Sequence, residues 1–160
     1  MKLRAYKEND AAALAVIYRR AVMEIGPGFY SPIQVAVWAR VPDHLSRFRE
    51  MLAGGSTLVA EIASCLVGFG QLYPEDHFSL LYVDPAYSRR GIASAIYQQL
   101  EADAVKQGAT TLGADAGKIS KAFFIRRGYD ITKVSVRSID GIAFEQYWML
   151  KRLEKAPSGR

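Results

Sequence analysis

VDPAYSRRGIA, residues 83–93, joins an apolar run of strand length to an amphipathic helix. The run before it, residues 78–83, mixes aromatic and aliphatic side chains, and Pro85 ends it. After it, apolar residues recur every four positions from Ile92 to Ala104, which places them on one face of a helix. The segment therefore predicts a strand, a tight basic turn and a helix in immediate succession.

The turn has the properties of an anion site. The first N–H groups of a helix lack partners within the helix and carry a partial positive charge, so they attract phosphate. Gly91 and Ala93 leave the main chain open to close approach, and Arg89 and Arg90 add positive charge. The turn contains neither Gly-x-x-x-x-Gly-Lys-Ser/Thr nor Gly-x-Gly-x-x-Gly, which excludes the usual nucleoside-triphosphate and dinucleotide loops.

Several segments carry a family resemblance. The turn resembles the pyrophosphate loop of the Gcn5-related N-acetyltransferases, the GNAT family, which reads Gln/Arg-x-x-Gly-x-Gly/Ala after a strand ending in Val-x-Pro. The match runs from Leu81 to Ser94, with Ser88 at the position where Gln or Arg is usual. FFIRRGY, residues 123–129, is similar to the family's Phe-Tyr-x-x-x-Gly-Phe helix end. The N-terminal third, with YSP at residues 30–32, resembles a poorly characterised bacterial branch of the family.

The order of the predicted elements matches the GNAT fold over nearly the whole chain. The resemblance implies an α/β (α+β) acyl-CoA N-acyltransferase fold, with a mixed, mostly antiparallel central sheet flanked by helices. Ala63-Ser64 and Asp140-Gly141 predict the tight turns of two hairpins. Hydrophobic periodicity and capping signals predict strands at 2–6, 57–62, 66–72, 77–83, 111–114, 131–139 and 142–149, and helices at 11–25, 32–38, 42–52, 89–106 and 119–127. We expect a single N-acetyltransferase domain at 1–153 and a polar tail at 154–160.

Composition narrows the function classes. A chain of 160 residues, 50% hydrophobic, suits one domain with one core. No apolar run reaches the roughly 18 residues of a membrane span, and no signal-type segment follows Met1, so we expect no membrane partner. The single cysteine, Cys65, suits a reducing compartment, and we expect a cytoplasmic protein.

The chain has a net charge of +5 without a long basic run. Under the resemblance, one group of basic residues lies near the phosphates of coenzyme A: Arg89, Arg90, Lys118, Lys121, Arg126 and Arg127. A polyanionic cofactor explains this charge, so nucleic acid is not the expected partner. Arg126 and Arg127 are the members that we expect on a solvated helix face. No metal site is predicted, and a homodimer is left open.

The resemblance implies acetyl-CoA as cosubstrate and a primary amine, on a small molecule or a peptide, as acceptor. It places the cofactor against the following residues: Leu81, Tyr82, Val83, Arg89, Arg90, Gly91, Ile92, Ala93, Ser94, Ser120 and Phe124. In the family the first two helices wall the acceptor pocket, which here brings Tyr30 and Trp38 to it. Polyamine, antibiotic, amino acid and protein N-terminus all stay open as acceptors.

Direct transfer requires a positioned thioester, a donor to the tetrahedral oxyanion, and a base for an amine that is mostly ammonium at neutral pH. The family meets the first two needs with the backbone of a splayed strand, which makes the Val83 N–H the expected oxyanion donor. His77 stands where histone-type members carry a catalytic glutamate, and a free imidazole titrates close to neutral pH. We therefore expect His77 to be the base, with Glu75 and Asp76 as alternatives.

The general acid departs from the family's pattern. Many relatives protonate the leaving thiolate with the tyrosine of Phe-Tyr-x-x-x-Gly, and the matching residue here is Phe124. Tyr82, Tyr97 or a water could take its place, and we count Tyr82 among the catalytic residues. Phe124 also keeps open a second class, an acyl-CoA-binding sensor with little or no turnover. A third class is a basic nucleic-acid-binding module that uses the phosphate loop on a backbone.

Overall fold

A seven-stranded sheet runs through the molecule, with helices on both faces. The computed structural model describes residues 1–153, and the predicted tail at 154–160 lies outside the described residues. Among the described residues, no helix is long and apolar enough to cross a bilayer. The strands are β1 (Lys2–Ala5), β2 (Ser56–Ile62), β3 (Cys65–Leu72), β4 (His77–Val83), β5 (Thr111–Ala116), β6 (Asp130–Ile139) and β7 (Ile142–Arg152). The α-helices are α1 (Ala11–Ile25), α2 (Pro32–Ala39), α3 (Leu45–Ala53), α4 (Ile92–Lys106) and α5 (Lys121–Ile125).

The predicted elements all form, and some boundaries differ for local reasons. Helix α4 begins at Ile92 and not at residue 89, because Arg89 and Gly91 have left-handed φ values of 62° and 75°. Helix α3 begins later than expected because Val41–Asp43 forms a separate 3-10 turn. Helix α5 is shorter than the predicted 119–127. Both predicted hairpin turns are confirmed, and their residues have positive φ.

The sheet has the order β1-β2-β3-β4-β5-β7-β6. All neighbours are antiparallel except β4 and β5, so the prediction of a mixed, mostly antiparallel sheet is confirmed. The parallel pairing is short, because it joins only His77 to Gly113 and Phe78 to Ala114. After Phe78 the two strands diverge, and a gap opens in the sheet between the end of β4 and the strands β5 and β7.

Each face of the sheet carries its own hydrophobic core. Helices α4 and α5 cover one face, here called the α4 face, where Ile96 and Leu100 are fully buried. Helices α1, α2 and α3 cover the other face, here called the α1 face, where Leu14 and Phe48 are buried. The gap between β4 and β5 therefore connects two sides that are walled by different helices.

Strand β3 has glycines where α4 crosses it. A Cβ on Gly70 would lie 2.7 Å from Ile96 Cγ2, and one on Gly68 would lie 3.1 Å from Ile92 Cγ2. The glycines therefore allow α4 to approach the sheet closely. Because the turn before α4 is continuous with the helix, this packing fixes the position of the turn relative to β4.

Strand β4 contains a bulge at Ser79, where the sheet opens. Gln71 of β3 lies opposite Leu80, whereas Leu72 lies opposite Phe78, so Ser79 is the extra residue. The Ser79 hydroxyl donates to Gln71 Oε1 at 2.8 Å. The side chain of Gln71 is itself buried and donates to the backbone of α3. A buried polar side chain that sequence reasoning did not single out thus holds the bulge in place.

Candidate functional site

A cavity of about 410 Å³ passes through the gap in the sheet. Residues 79–83 of β4 line one edge, and residues 115–117 and 144–146 line the other. Ser88 and Ala93 border it on the α4 face, and side chains of α1 and α2 border it on the α1 face. Two molecules that enter from opposite faces could therefore meet beside the end of β4.

The backbone of β4 presents free donors to this gap. The Asp84 N–H donates to the Val67 carbonyl at 2.8 Å, toward β3. Because N–H directions alternate along a strand, the N–H groups of Leu81 and Val83 are directed away from β3 and into the gap. The predicted oxyanion donor, the Val83 N–H, thus faces the cavity.

The predicted anion site is the turn at residues 88–94, here called the anion loop. The first hydrogen bond of the following helix runs from the Ala95 N–H to the Gly91 carbonyl at 3.0 Å. The N–H groups of Ile92, Ala93 and Ser94 precede that bond and have no acceptor within the helix. The Ile92 side chain is buried in the core, so this residue offers only its N–H to a ligand.

Asp84 anchors the anion loop to the rest of the fold. Its buried carboxylate accepts a hydrogen bond from the Ala86 N–H at 3.0 Å and forms an ion pair with Arg20 of α1 at 2.9 Å. Sequence reasoning did not identify this pair. The available signal was the acidic residue directly before Pro85, a combination typical of a capped turn.

The basic residues near the loop have different roles. Arg89 and Arg90 are exposed, and the Arg90 guanidinium lies 5.1 Å from the centre of the Tyr87 ring. Arg126 is exposed, as predicted. The expectation that Arg127 is solvated is wrong, because its guanidinium stacks 3.4 Å from the centre of the Phe123 ring.

Arg127 also engages the Ser94 hydroxyl, to which it donates at 2.6 Å. This contact ties the end of α5 to the first turn of α4. Because the hydroxyl is the acceptor here, both its own O–H and the N–H of Ser94 stay available as donors to an anion.

Ser120 and Phe124, the remaining predicted cofactor contacts, both line the cavity. The Ser120 hydroxyl accepts a hydrogen bond from the Gly117 N–H at 3.1 Å. Phe124 is buried and packs against Phe78, with ring centres 5.7 Å apart. Tyr97, one of the substitute acids, is absent from the lining, and its hydroxyl is hydrogen-bonded to Glu101.

Four aromatic rings form the opposite end of the cavity, on the α1 face: Tyr30, Trp38, Tyr82 and Phe144, here called the aromatic wall. The centre of the Tyr30 ring lies 5.4 Å from that of Trp38 and 5.6 Å from that of Phe144. Trp38 and Tyr82 are 6.5 Å apart. Tyr30 and Trp38, which the resemblance brings to the acceptor pocket, both line this cavity. Burial raises the pKa of Tyr82, so its hydroxyl keeps its proton.

His77 lies next to a residue of the cavity lining but is not part of the lining itself. It is the first residue of β4 and is absent from the lining, whereas Asp115 of β5 is part of it. His77 Nε2 lies 2.8 Å from Asp115 Oδ1, and both atoms are buried. Gly113 makes room for the imidazole, since a Cβ there would lie 2.5 Å from His77 Nδ1.

Sequence reasoning missed Asp115, because only the pairing of β4 with β5 brings it to His77. The two alternative bases, Glu75 and Asp76, lie in a separate hollow near the end of α4 and do not line the cavity. A second carboxylate in the lining, Glu145, accepts a hydrogen bond from the Tyr147 hydroxyl at 2.9 Å.

Comparison with known proteins agrees with this geometry. Residues 29–151 match the family described as acetyltransferase (GNAT) domain. The chain is 34% identical to YafP, an uncharacterized N-acetyltransferase of Escherichia coli K12. The match extends over 149 residues, which are 93% of this chain and 94% of YafP. A GCN5-related N-acetyltransferase from Rhodopseudomonas palustris has the same fold with a TM-score of 0.92 and 34% identity, covering 95% of both chains.

A more distant structure has the same fold. It is the PaiA N-acetyltransferase of Thermoplasma acidophilum, solved in complex with coenzyme A, with a TM-score of 0.72 and 18% identity over 95% of this chain and 98% of that one. The sequence match and the two relatives at 34% identity extend over most of this chain. The protein therefore belongs to the GNAT family of acetyltransferases.

Proposed function

We propose that the protein transfers an acetyl group from acetyl-CoA to a primary amine by direct attack. The observation that carries this proposal is the cavity through the sheet, which joins the anion loop to the aromatic wall with the Val83 N–H between them. Acetyl-CoA supplies the activated acetyl group as a thioester. PaiA of Thermoplasma acidophilum, which shares the fold, was solved with coenzyme A bound, and this supports the choice of cosubstrate.

The anion loop would hold the diphosphate of the coenzyme. The N–H groups of residues 89–94 are the donors, and the exposed side chains of Arg89 and Arg90 add positive charge. The pantetheine arm would then follow the edge of β4 at residues 81–83, with Ser120 and Phe124 on its other side. This route leads from the loop to the gap, where the α1 face becomes accessible.

The Val83 N–H would stabilise the oxyanion. It is directed into the gap, and a backbone donor needs no reorganisation when charge develops on the thioester oxygen. The amine forms its bond to the acetyl carbon from the α1 face. The bond between that carbon and sulfur then breaks, and the electron pair leaves on sulfur.

The proton of the attacking ammonium would leave through Asp115 and His77. Asp115 lies in the cavity lining on the α1 face and accepts this proton first. His77 Nε2, 2.8 Å behind it, takes the proton on, which leaves an imidazolium beside a carboxylate. The predicted base, His77, thus acts through Asp115.

The leaving thiolate would depart without a side-chain acid. Phe124 has no proton to give, and transfer from Tyr82 is unfavourable because burial raises the pKa of Tyr82 further above the value of about 8.5 of an ordinary thiol. The nitrogen loses its second proton as the amide forms, and this proton neutralises the thiolate. We therefore assign Tyr82 to the aromatic wall and to the backbone edge of β4.

The test is a turnover screen of acetyl-CoA against polyamines, aminoglycosides, amino acids and peptide N-termini, with release of free thiol as the readout. Turnover with at least one amine is the expected result. Coenzyme A binding by calorimetry without turnover on any amine would favour the sensor. Salt-steep DNA binding that coenzyme A does not affect would favour the nucleic-acid module.

A further inference from the structure

The α1 face of the cavity carries two side chains of opposite charge. Asp115 lies at the gap, on the strand that diverges from β4. Arg137 of β6 lies opposite Phe144 in the register of the final hairpin and lines the same cavity. The aromatic wall lies on this face as well, so an acceptor that enters here meets rings and both charges.

Arg137 has no ion pair and no side-chain hydrogen bond within residues 1–153. Asp140, in the hairpin turn three residues after Arg137, is instead paired with Arg40 at 3.8 Å. Arg137 and Tyr82 line the same cavity, and the positive charge of Arg137 opposes the rise that burial causes in the pKa of Tyr82. A guanidinium directed toward a pocket without a partner there is available to a ligand anion.

The other acidic group of the lining does not compete for this position. Glu145 alternates with Phe144 along β7 and shares the α4 face with Tyr147, which donates a hydrogen bond to it. Asp115 is therefore the carboxylate of the lining that belongs to the α1 face. One guanidinium that shares this face with one carboxylate, Asp115, suits a single carboxylate on the acceptor and disfavours a polyanion.

We propose that the acceptor is an amino acid or a closely related amine that carries one carboxylate and an aromatic or large apolar body. This inference rests on the proposed function. The carboxylate binds Arg137, the body packs on the aromatic wall, and the ammonium is directed toward Asp115. Arg137 is then a specificity residue, because it selects amines that carry a carboxylate near the amino group.

The test compares L-phenylalanine with 2-phenylethylamine, which share a ring and an amine and differ by the carboxylate. Both are titrated calorimetrically into the protein loaded with coenzyme A, and both are assayed for acetylation. We expect L-phenylalanine to bind about 10- to 100-fold more tightly, the range of hydrogen bonds to charged groups. Arg137→Gln should remove this preference, Arg137→Lys should restore part of it, and Lys133→Gln on the same strand should leave it intact.

Equal affinity for the two amines, or no binding of either, would overturn the inference. A preference that persists in Arg137→Gln would also overturn it, because another group would then read the carboxylate. Selective binding without acetylation has a different meaning: it supports the Arg137 site and counts against the proposed transfer reaction.

Discussion

The anion loop and the aromatic wall occupy opposite ends of one cavity but are built in different ways. The loop is a single run, residues 88–94, and its donors are backbone groups. The wall brings together rings from three separate parts of the chain: Tyr30 and Trp38 at α2, Tyr82 of β4 and Phe144 of β7. Side-chain changes can therefore alter the aromatic wall while the backbone donors of the anion loop stay as they are.

Gly91→Glu tests the loop end most severely. Gly91 has φ 75°, and nothing lies within 4 Å of the position of a Cβ, so the new side chain has room. It places a carboxylate at the start of α4, where the diphosphate is to bind. We expect coenzyme A affinity, measured by calorimetry, to fall at least about 100-fold as charge-assisted hydrogen bonds are lost.

Gly108→Glu is the matched control for this variant. Gly108 has φ 93°, equally open surroundings and a position just beyond the other end of α4. Both variants lose about 1 kcal/mol to backbone strain, which thermal unfolding will measure. Only Gly91→Glu should lose the coenzyme. Unchanged affinity in that variant would remove the basis for the loop assignment.

Asp115→Asn tests the acceptor end. The amide keeps the size of the side chain but cannot accept the proton of the ammonium. We expect kcat to fall by roughly 10²–10⁴-fold, while coenzyme A affinity is unchanged. His77→Gln should also lower kcat and leave coenzyme A affinity unchanged.

Asp76→Asn is the control for charge near the start of β4, since Asp76 lies outside the cavity lining. It should leave kcat unchanged. A loss of activity in Asp76→Asn with normal activity in Asp115→Asn would transfer the role of base to Asp76.

Gly113→Ala tests whether the position of His77 matters without changing either proton carrier. The new Cβ would lie 2.5 Å from His77 Nδ1, so the imidazole must leave its present position beside Asp115. A displacement of about 1 Å can lower a rate roughly 100-fold, and we expect kcat to fall by about 10- to 100-fold while KM for acetyl-CoA stays constant. Gly28→Ala, with nothing within 4 Å, is the control for the substitution type. Full activity in Gly113→Ala would show that His77 has no part in the reaction.

Phe124→Tyr should have the smallest effect. It tests whether the cavity beside the anion loop tolerates a hydroxyl at this position. Phe124 lies on the α4 face beside the cavity, so the added hydroxyl restores the group that many relatives place there. Turnover should stay the same or rise. A large loss of turnover with intact coenzyme A binding would show that the site depends on an apolar residue at this position.

The anion loop and the order of elements could be predicted because their signals are local. The four-residue periodicity after Gly91 and the Asp140-Gly141 turn are properties of neighbouring residues. Asp115 and Gln71 could not be predicted, because their roles depend on which strand lies beside them. Arg127 was mistaken for a solvated residue, since nothing near it in sequence reveals its contact with Ser94 of another helix.

The bulge at Ser79 shifts, by one residue, the alternation of backbone groups along β4 that bond β3. Before it, the His77 carbonyl accepts from the Tyr73 N–H on the β3 side, and after it the Asp84 N–H donates to that same side. Odd-numbered residues therefore direct their backbone N–H and C=O groups toward β3 before the bulge, and even-numbered residues do so after it. If residues 77–83 paired with β3 without a bulge, Val83 would use its N–H to bond β3 and Tyr82 would point away from the aromatic wall. The bulge thus decides, for the whole second half of the strand, which backbone groups bond the sheet and which are free to bond a ligand.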